Sequence, residues 1–383
     1  MHFSIEEFTQ RLTAVQSDIR QRDLDGILLF APESHYYLTG YDTFGFALYQ
    51  CMILPAEGLP HLLTREPDRR QAQQTSTLSD DQIHIWIDRE GCDPHGDTLQ
   101  LLGALGLQGK RLGIETRTTG LTAWNWQKLV EAVGTNVTLV EASDLVGLRR
   151  RIKSPAEIDY TRRAAELSDA ALQAGEQATR AGAFEGDILS AMQGAVFAGG
   201  GDYAGNEFII GSGQGALLCR YFSGRRHLDP QDQLTLEWSG AYRRYHAAMM
   251  RTLVVGPRKE EQIRMHATAI EALEACEDTI RPGAPMGDVF DAHARVFDKN
   301  GYAHARLNAC GYGMGAIYNP IWVDYPMFYA GNPLLMQVGN VFFLHMVLMD
   351  SATGLAMCWG HSVLVTDQGA ERLSRHSLAL DQH

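Results

Sequence analysis

The chain has 383 residues, of which 45% are hydrophobic and 21% are charged, so it is long enough for two folded domains. Its formal net charge of -13, from 46 acidic and 33 basic residues, argues against a surface that binds nucleic acid or an anionic membrane. The sequence has no apolar run of about 18 residues and begins without the basic and apolar regions of a signal peptide, so we expect a cytoplasmic protein.

The first 150 residues alternate helical and strand patterns, which predicts an α/β domain. Apolar residues at helical spacing predict the first helix over 5–24. Short apolar or alternating segments predict strands, and two amphipathic segments predict further helices. The predicted strands are 26–30, 48–54, 61–64, 83–87, 111–115 and 137–141, and the predicted helices are 99–107 and 122–133.

A basic connector at 148–153 leads into a strong helix start. Ser154 suits the N-cap, Pro155 suits the first helical position, and Glu157 can close a capping box. We therefore predict an amino-terminal α/β domain over 1–150 and an α+β catalytic domain over 151–383. The predicted helices of the second domain run from 155 to about 181, 186–197, 260–280 and 286–300, and its predicted strands are 233–239, 245–255, 341–349 and 362–366.

Several polar residues interrupt the apolar strands of the second domain, where an unpaired polar group is costly. They are Glu237, His246, His345 and His361. Each one alone is more typical of a paired structural residue than of a catalyst. Together, in one domain, they predict a shared cavity. The six cysteines form no C-x-x-C pair, which favours reduced, buried thiols over a zinc or redox motif.

Three further segments resemble the creatinase, prolidase and methionine aminopeptidase superfamily. They are Arg151-Ile152-Lys153-Ser154-Pro155, Arg281-Pro282-Gly283 and the tail from Val363 to Glu371. The resemblance implies the pita-bread fold, in which a curved antiparallel sheet is backed by helices. It also implies an amino-terminal α/β domain and a homodimer.

Metal-dependent members of this superfamily bind two ions through two aspartates, a histidine and two glutamates. Motif alignment places these five positions on Glu237, Ala248, Tyr312, His345 and Gly360. Two hard divalent ions need several carboxylates or imidazoles to offset their dehydration. We therefore expect no metal cofactor, and a metal-dependent Xaa-Pro dipeptidase or aminopeptidase is kept as an alternative.

Within the superfamily the chain resembles ectoine hydrolase, which opens the cyclic amidine of a compatible solute. The most specific similarity lies in Glu237-x-x-Gly240-x-Tyr242-x-Arg244-Tyr245-His246 and in Gly311-Tyr312-x-x-Gly315-x-x-Tyr318-x-Pro320-x-Trp322. Creatinase is a poorer match, because its catalytic histidine and one glutamate fall on Arg220 and Met250. Relatives also keep a histidine before the Glu237 strand, where this chain reads Leu217-Leu218-Cys219-Arg220-Tyr221.

The resemblance and the polar residues predict a metal-independent hydrolase that cleaves a non-peptide C–N bond in a small carboxylated amidine or amide. Glu237 would act as base or hold the cation, and a histidine would carry the proton to the leaving nitrogen. The predicted catalytic residues are Glu237, His345, His361 and Tyr312. The predicted substrate-binding residues are Arg220, Tyr245, His246, Tyr318, Trp322 and Tyr41. A lyase of a small zwitterion, such as dimethylsulfoniopropionate, and a degenerate member that only binds a ligand remain open.

Overall fold

The computed structural model describes residues 1–220 and 224–383 and contains two compact units, Met1–Arg150 and Arg151–His383. No helix of the described residues has both the length and the apolar content to cross a bilayer.

Unit 1 has the predicted α/β class, with helices on both faces of one mixed sheet. Its helices are α1 (Ile5–Gln21), α2 (Pro32–Thr39), α3 (Arg69–Thr75), α4 (Pro94–Ala104), α5 (Ala123–Val133) and α6 (Asp144–Arg150). Its strands are β1 (Gly26–Leu29), β2 (Cys51–Pro55), β3 (His61–Arg65), β4 (Ile83–Trp86), β5 (Arg111–Ile114) and β6 (Thr138–Glu141). They form a mixed sheet in the order β4-β3-β2-β1-β5-β6. Apolar residues of α1, α2, α3 and α6 pack on one face, and those of α4 and α5 pack on the other.

Unit 2 combines helices with a large antiparallel sheet, which confirms the predicted α+β class. Its helices are α7 (Pro155–Ala178), α8 (Glu185–Ala198), α9 (Glu260–Thr279) and α10 (Met286–Lys299). Its strands are β7 (Ile209–Ser212), β8 (Asp232–Tyr242), β9 (Tyr245–Val255), β10 (Gly311–Gly313), β11 (Asp324–Met327), β12 (Val341–Asp350), β13 (Leu355–Thr366) and β14 (Gly369–Arg372). The strand order is β11-β10-β12-β13-β9-β8-β7, and β14 pairs with β13.

The capping box at the start of α7 forms as the sequence predicts. The amide of Glu157 donates to Ser154 Oγ at 3.3 Å, and the amide of Ser154 donates to Glu157 Oε2 at 2.7 Å. Each bond satisfies an N–H group that has no partner within the helix. The first helix of unit 2 therefore begins at a position fixed by its own side chains.

Alternation along the central strands gives the sheet two different faces. On one face, Trp238 of β8 donates its indole N–H to the Ser168 carbonyl of α7 at 3.0 Å. On the same face, Trp359 of β13 meets the ring of His266 in α9 at a centroid distance of 4.6 Å. Helices therefore cover this face. The residues directly before and after Trp238 and Trp359 in their strands point to the opposite face.

Candidate active site

A cavity of about 180 Å³ lies on the sheet face that points away from the helices of unit 2. This volume has room for several water molecules or one small solute. Most of its lining is apolar, and the polar groups are few. The lining residues are Asn206, Cys219, Arg220, Glu237, Met250, Leu307, Ala309, Tyr312, Ile321, Trp322, Val323, Met327, His345 and Val347.

One cross-strand row spans four strands at this cavity. Glu237 of β8 pairs with Met250 of β9, Met250 pairs with Gly360 of β13, and Gly360 pairs with His345 of β12. The register therefore places Glu237 and His345 at opposite ends of the row on the same face. A Cβ atom added to Gly360 would lie 2.4 Å from the carbonyl oxygen of Leu344, so these strands pair closely only because this residue has no side chain.

Glu237 is a carboxyl group in apolar surroundings. The side chain is half-buried and borders the cavity. Burial raises its pKa to about 7, against the opposing effects of the Arg220 guanidinium and a hydrogen bond from Tyr312. A carboxyl group with this pKa can accept and return a proton near neutral pH.

A short hydrogen-bond chain ends at Glu237. The indole N–H of Trp322 donates to Tyr312 Oη at 2.8 Å, and the Tyr312 hydroxyl donates to Glu237 Oε1 at 3.4 Å. The second bond is long for an O–H···O contact. Burial raises the pKa of Tyr312 well above its usual value, so its hydroxyl keeps its proton.

His345 lies at the other end of the row and is half-buried. Burial lowers its pKa to about 4, so the imidazole is neutral near pH 7. Its ring centroid lies 5.7 Å from that of Tyr312 and 5.5 Å from that of Phe343. Nδ1 is buried and has no hydrogen-bond partner among the described residues.

Three polar side chains complete the lining, and two of them were missed in the sequence. Arg220 is exposed and lines the cavity, which places one cation beside Glu237. Asn206 and Cys219 also line it, although neither follows a periodic pattern that could have indicated this. Tyr221, the last residue of the segment aligned with the relatives' histidine, lies outside the described residues.

The predicted burial of the cysteines holds for four of the six. Cys51, Cys276, Cys310 and Cys358 are buried, whereas Cys92 is exposed and Cys219 is half-buried.

His361 does not reach the cavity. It follows Gly360 on β13, so its side chain points to the helix-covered face, where Nε2 lies 2.5 Å from Glu277 Oε1. Glu277 also accepts a hydrogen bond from Arg372 at 2.8 Å. Although burial raises the pKa of Glu277, the hydrogen bonds from His361 and Arg372 bring it down to about 2. We therefore leave His361 out of the candidate site.

Four predicted substrate-binding residues also lie outside the cavity lining. Tyr245 donates its hydroxyl to Glu157 Oε1 at 2.5 Å, and His246 Nε2 accepts the amide N–H of Gly205 at 2.8 Å. The other two are Tyr318, whose ring lies 4.9 Å from the guanidinium of Arg244, and Tyr41, which is buried in unit 1 and accepts from Gln50 Nε2 at 3.0 Å. These contacts account for the four side chains without a substrate, whereas Arg220, Glu237, Tyr312, Trp322 and His345 do meet at the cavity.

The donor atoms do not fit a site for two divalent ions. Of the five aligned positions, Ala248 and Gly360 carry no ligating atom, and Tyr312 offers a phenol that keeps its proton. Among the residues that the structure describes, no group of three or more histidine, cysteine, aspartate or glutamate side chains could hold a metal ion. Glu237 and His345 alone give too few ligands to offset the dehydration of such ions.

Comparisons with known proteins match both halves of the chain. The model of metallopeptidase family M24 matches residues 159–367, and that of the creatinase/prolidase N-terminal domain matches residues 11–152. The ectoine hydrolase of Halomonas elongata is 26% identical over 97% of this chain and 96% of its own length. An uncharacterized hydrolase/peptidase of Sinorhizobium fredii is 27% identical over 98% of this chain and 97% of its own length.

Solved structures share the fold. The dipeptidase PepE of Mycobacterium ulcerans matches with a TM-score of 0.85 over 99% of both chains, at 23% sequence identity. The prolidase of Thermococcus sibiricus matches with a TM-score of 0.89 over 100% of both chains, at 20% identity. At these identities the likeness shows the fold alone.

Proposed function

We propose that this chain, which belongs to metallopeptidase family M24, hydrolyses a non-peptide C–N bond in a small carboxylated amidine or amide without a metal ion. One observation carries the proposal: the cavity contains a carboxyl group, Glu237, whose pKa of about 7 suits a general base. The similarity to ectoine hydrolase supports a substrate of this class.

Glu237 is the base in the proposed reaction. Its carboxylate removes a proton from water while the water oxygen bonds to the amidine or amide carbon. The protonated Glu237 then returns that proton to the leaving nitrogen, and the C–N bond breaks. His345 is neutral near pH 7, so in this scheme it donates or accepts a hydrogen bond and does not act as an acid.

The remaining lining supports a small zwitterionic substrate. The Arg220 guanidinium can bind a carboxylate in bidentate fashion. The rings and methyl groups of Trp322, Met250 and Val347 offer an apolar surface for the carbon skeleton. Arg220 and Glu237 would thus hold opposite charges of one molecule.

The test begins with chelator-dialysed protein and a panel of ectoine, creatine, small betaines and Xaa-Pro dipeptides. We expect one amidine or amide to gain the mass of one water, and we expect Glu237→Gln to lower kcat by about a hundredfold or more. Glu274→Gln, on the exposed surface of α9, is the matched control and should keep full activity.

Two results would contradict the proposal. Loss of turnover on dialysis with recovery on adding manganese, zinc, cobalt or iron would establish a metal-dependent enzyme. Formation of an alkene from a zwitterion without uptake of water would establish a lyase.

A further inference from the structure

The hydrogen bond between Trp322 and Tyr312 has only one possible direction. An indole N–H donates and never accepts, so Tyr312 Oη must be the acceptor of the 2.8 Å bond. Both side chains are buried. The single hydroxyl hydrogen of Tyr312 is therefore left for another acceptor, and among the described residues that acceptor is Glu237 Oε1.

The Tyr312 ring cannot easily move to break this arrangement. Tyr312 lies on β10, where it pairs with Phe343 of β12. Its ring meets that of Phe343 edge to face at 5.4 Å and that of His345 at 5.7 Å. With the ring fixed, only the torsion of the hydroxyl hydrogen is free, and the N–H of Trp322 restricts that torsion.

We propose that Trp322 is a positioning residue that acts through Tyr312 on the proton affinity of Glu237. The inference rests on the proposed function only in that Glu237 is taken as the base. A donor aimed at Glu237 stabilises the carboxylate over the carboxylic acid. Without the indole N–H, the hydroxyl can turn and accept a hydrogen bond from protonated Glu237, which favours the acid.

The experiment reads the ionisation of Glu237 directly and needs no substrate. Infrared difference spectra over a pH series report the C=O band of a protonated carboxyl group, and the band that Glu237→Gln removes is assigned to Glu237. We expect Trp322→Phe and Tyr312→Phe each to raise its midpoint by about half to one pH unit, the worth of one weak hydrogen bond. The double variant should show the same midpoint as Tyr312→Phe alone, because Trp322 acts only through Tyr312.

Trp359→Phe is the matched control. The indole N–H of Trp359 is buried and has no hydrogen-bond partner among the described residues, so its loss should leave the midpoint of Glu237 unchanged. If Trp322→Phe does not fold, the indole N–H resonance of Trp322 in the otherwise unaltered protein gives the answer. The chemical shift of that resonance should change with pH at the same midpoint as the ionisation of Glu237. In Tyr312→Phe it should not change over that pH range.

The inference is overturned if no band of Glu237 titrates, if Trp322→Phe leaves the midpoint unchanged, or if its effect adds in full to that of Tyr312→Phe. These outcomes are independent of turnover. A protein that shows the expected midpoints but hydrolyses nothing would refute the proposed function and leave the inference intact.

Discussion

Replacing Glu237 by glutamine should make the protein more stable above neutral pH and leave its stability unchanged in acid. In the folded chain burial raises the pKa of Glu237 from 4.5 to about 7. Between these values the native state holds a proton that the unfolded state has released, so the free energy of unfolding falls as the pH rises. Each pH unit is worth about 1.4 kcal/mol, which gives a loss of up to about 3 kcal/mol above pH 7.

Glutamine removes this cost because it does not ionise. We expect urea unfolding of the two proteins to give equal stabilities near pH 4.5, and the variant to gain up to about 3 kcal/mol by pH 8. The difference in stability between the two proteins should grow as the pH rises from 4.5 to about 7, the pKa values of Glu237 in the unfolded and folded chain. Equal stabilities at all pH values, or a variant that is less stable at pH 8, would refute the argument that burial raises the pKa of Glu237 and makes its ionisation costly.

Glu115 in unit 1 is the matched comparison. Burial also raises its pKa to about 7. Its carboxylate is fully used, because it accepts from the amides of Phe30 and Ala31 and from the hydroxyl of Ser34 at 2.9, 2.8 and 2.5 Å. Glutamine can keep one oxygen on the two amides and turn its NH2 group towards Ser34 Oγ, so Glu115→Gln removes the same ionisation cost and should also gain stability by pH 8. The two sites should differ in Glu115→Leu, which leaves three donors without an acceptor and should destabilise the protein by about 1–3 kcal/mol for each donor at pH 4.5.

Three other predictions concern the packing around the site. Gly360→Ala should cost about 1–3 kcal/mol in urea unfolding because the new methyl group meets a strand carbonyl at 2.4 Å, whereas Gly194→Ala, in open space on α8, should gain up to about 1 kcal/mol. Burial lowers the pKa of His293 from 6.5 to about 3, so the native state binds fewer protons over that interval and stability falls with acidification; His293→Leu should flatten this dependence between pH 4 and 7. Tyr245→Phe should lower stability by about 1–2 kcal/mol through the lost bond to Glu157 and leave kcat/KM intact, and a raised KM would instead support its predicted role in substrate binding.

Long elements with one clear period could be predicted from the sequence. The pairing of β8 with β9 and the start of α7 follow from alternation and capping chemistry. Some short strands of unit 1, such as β1, β3 and β5, could be predicted as well, but other short elements could not. The helix Pro32–Thr39 has buried residues on several sides, and the strand Gly311–Gly313 has three residues without alternation. Tertiary packing determines both, and the local sequence does not show it.

The prediction of the candidate site was limited in the same way, because the sequence does not show how the strands are aligned with one another. His345 and His361 both interrupt apolar strands, and the sequence offers no means to tell them apart. In the sheet His345 pairs with Gly360, the neighbour of His361, and that offset of one residue puts the two imidazoles on opposite faces. The exposed Arg220 and the half-buried Cys219 precede β8 outside any strand, so no period could assign them to the cavity.

The side chains at the five aligned positions balance their charge without divalent cations. Four carboxylates that face two divalent cations are neutral as a set, but the same carboxylates without cations would repel one another and would take up protons. In this chain Ala248 and Gly360 carry no charge, and His345 and Tyr312 are neutral near pH 7. One carboxylate, that of Glu237, remains beside one guanidinium, that of Arg220. A single acidic side chain introduced at Ala248 or Gly360 would therefore add an unpaired charge to the cavity, and a site for two divalent ions would require acidic residues at several of these positions.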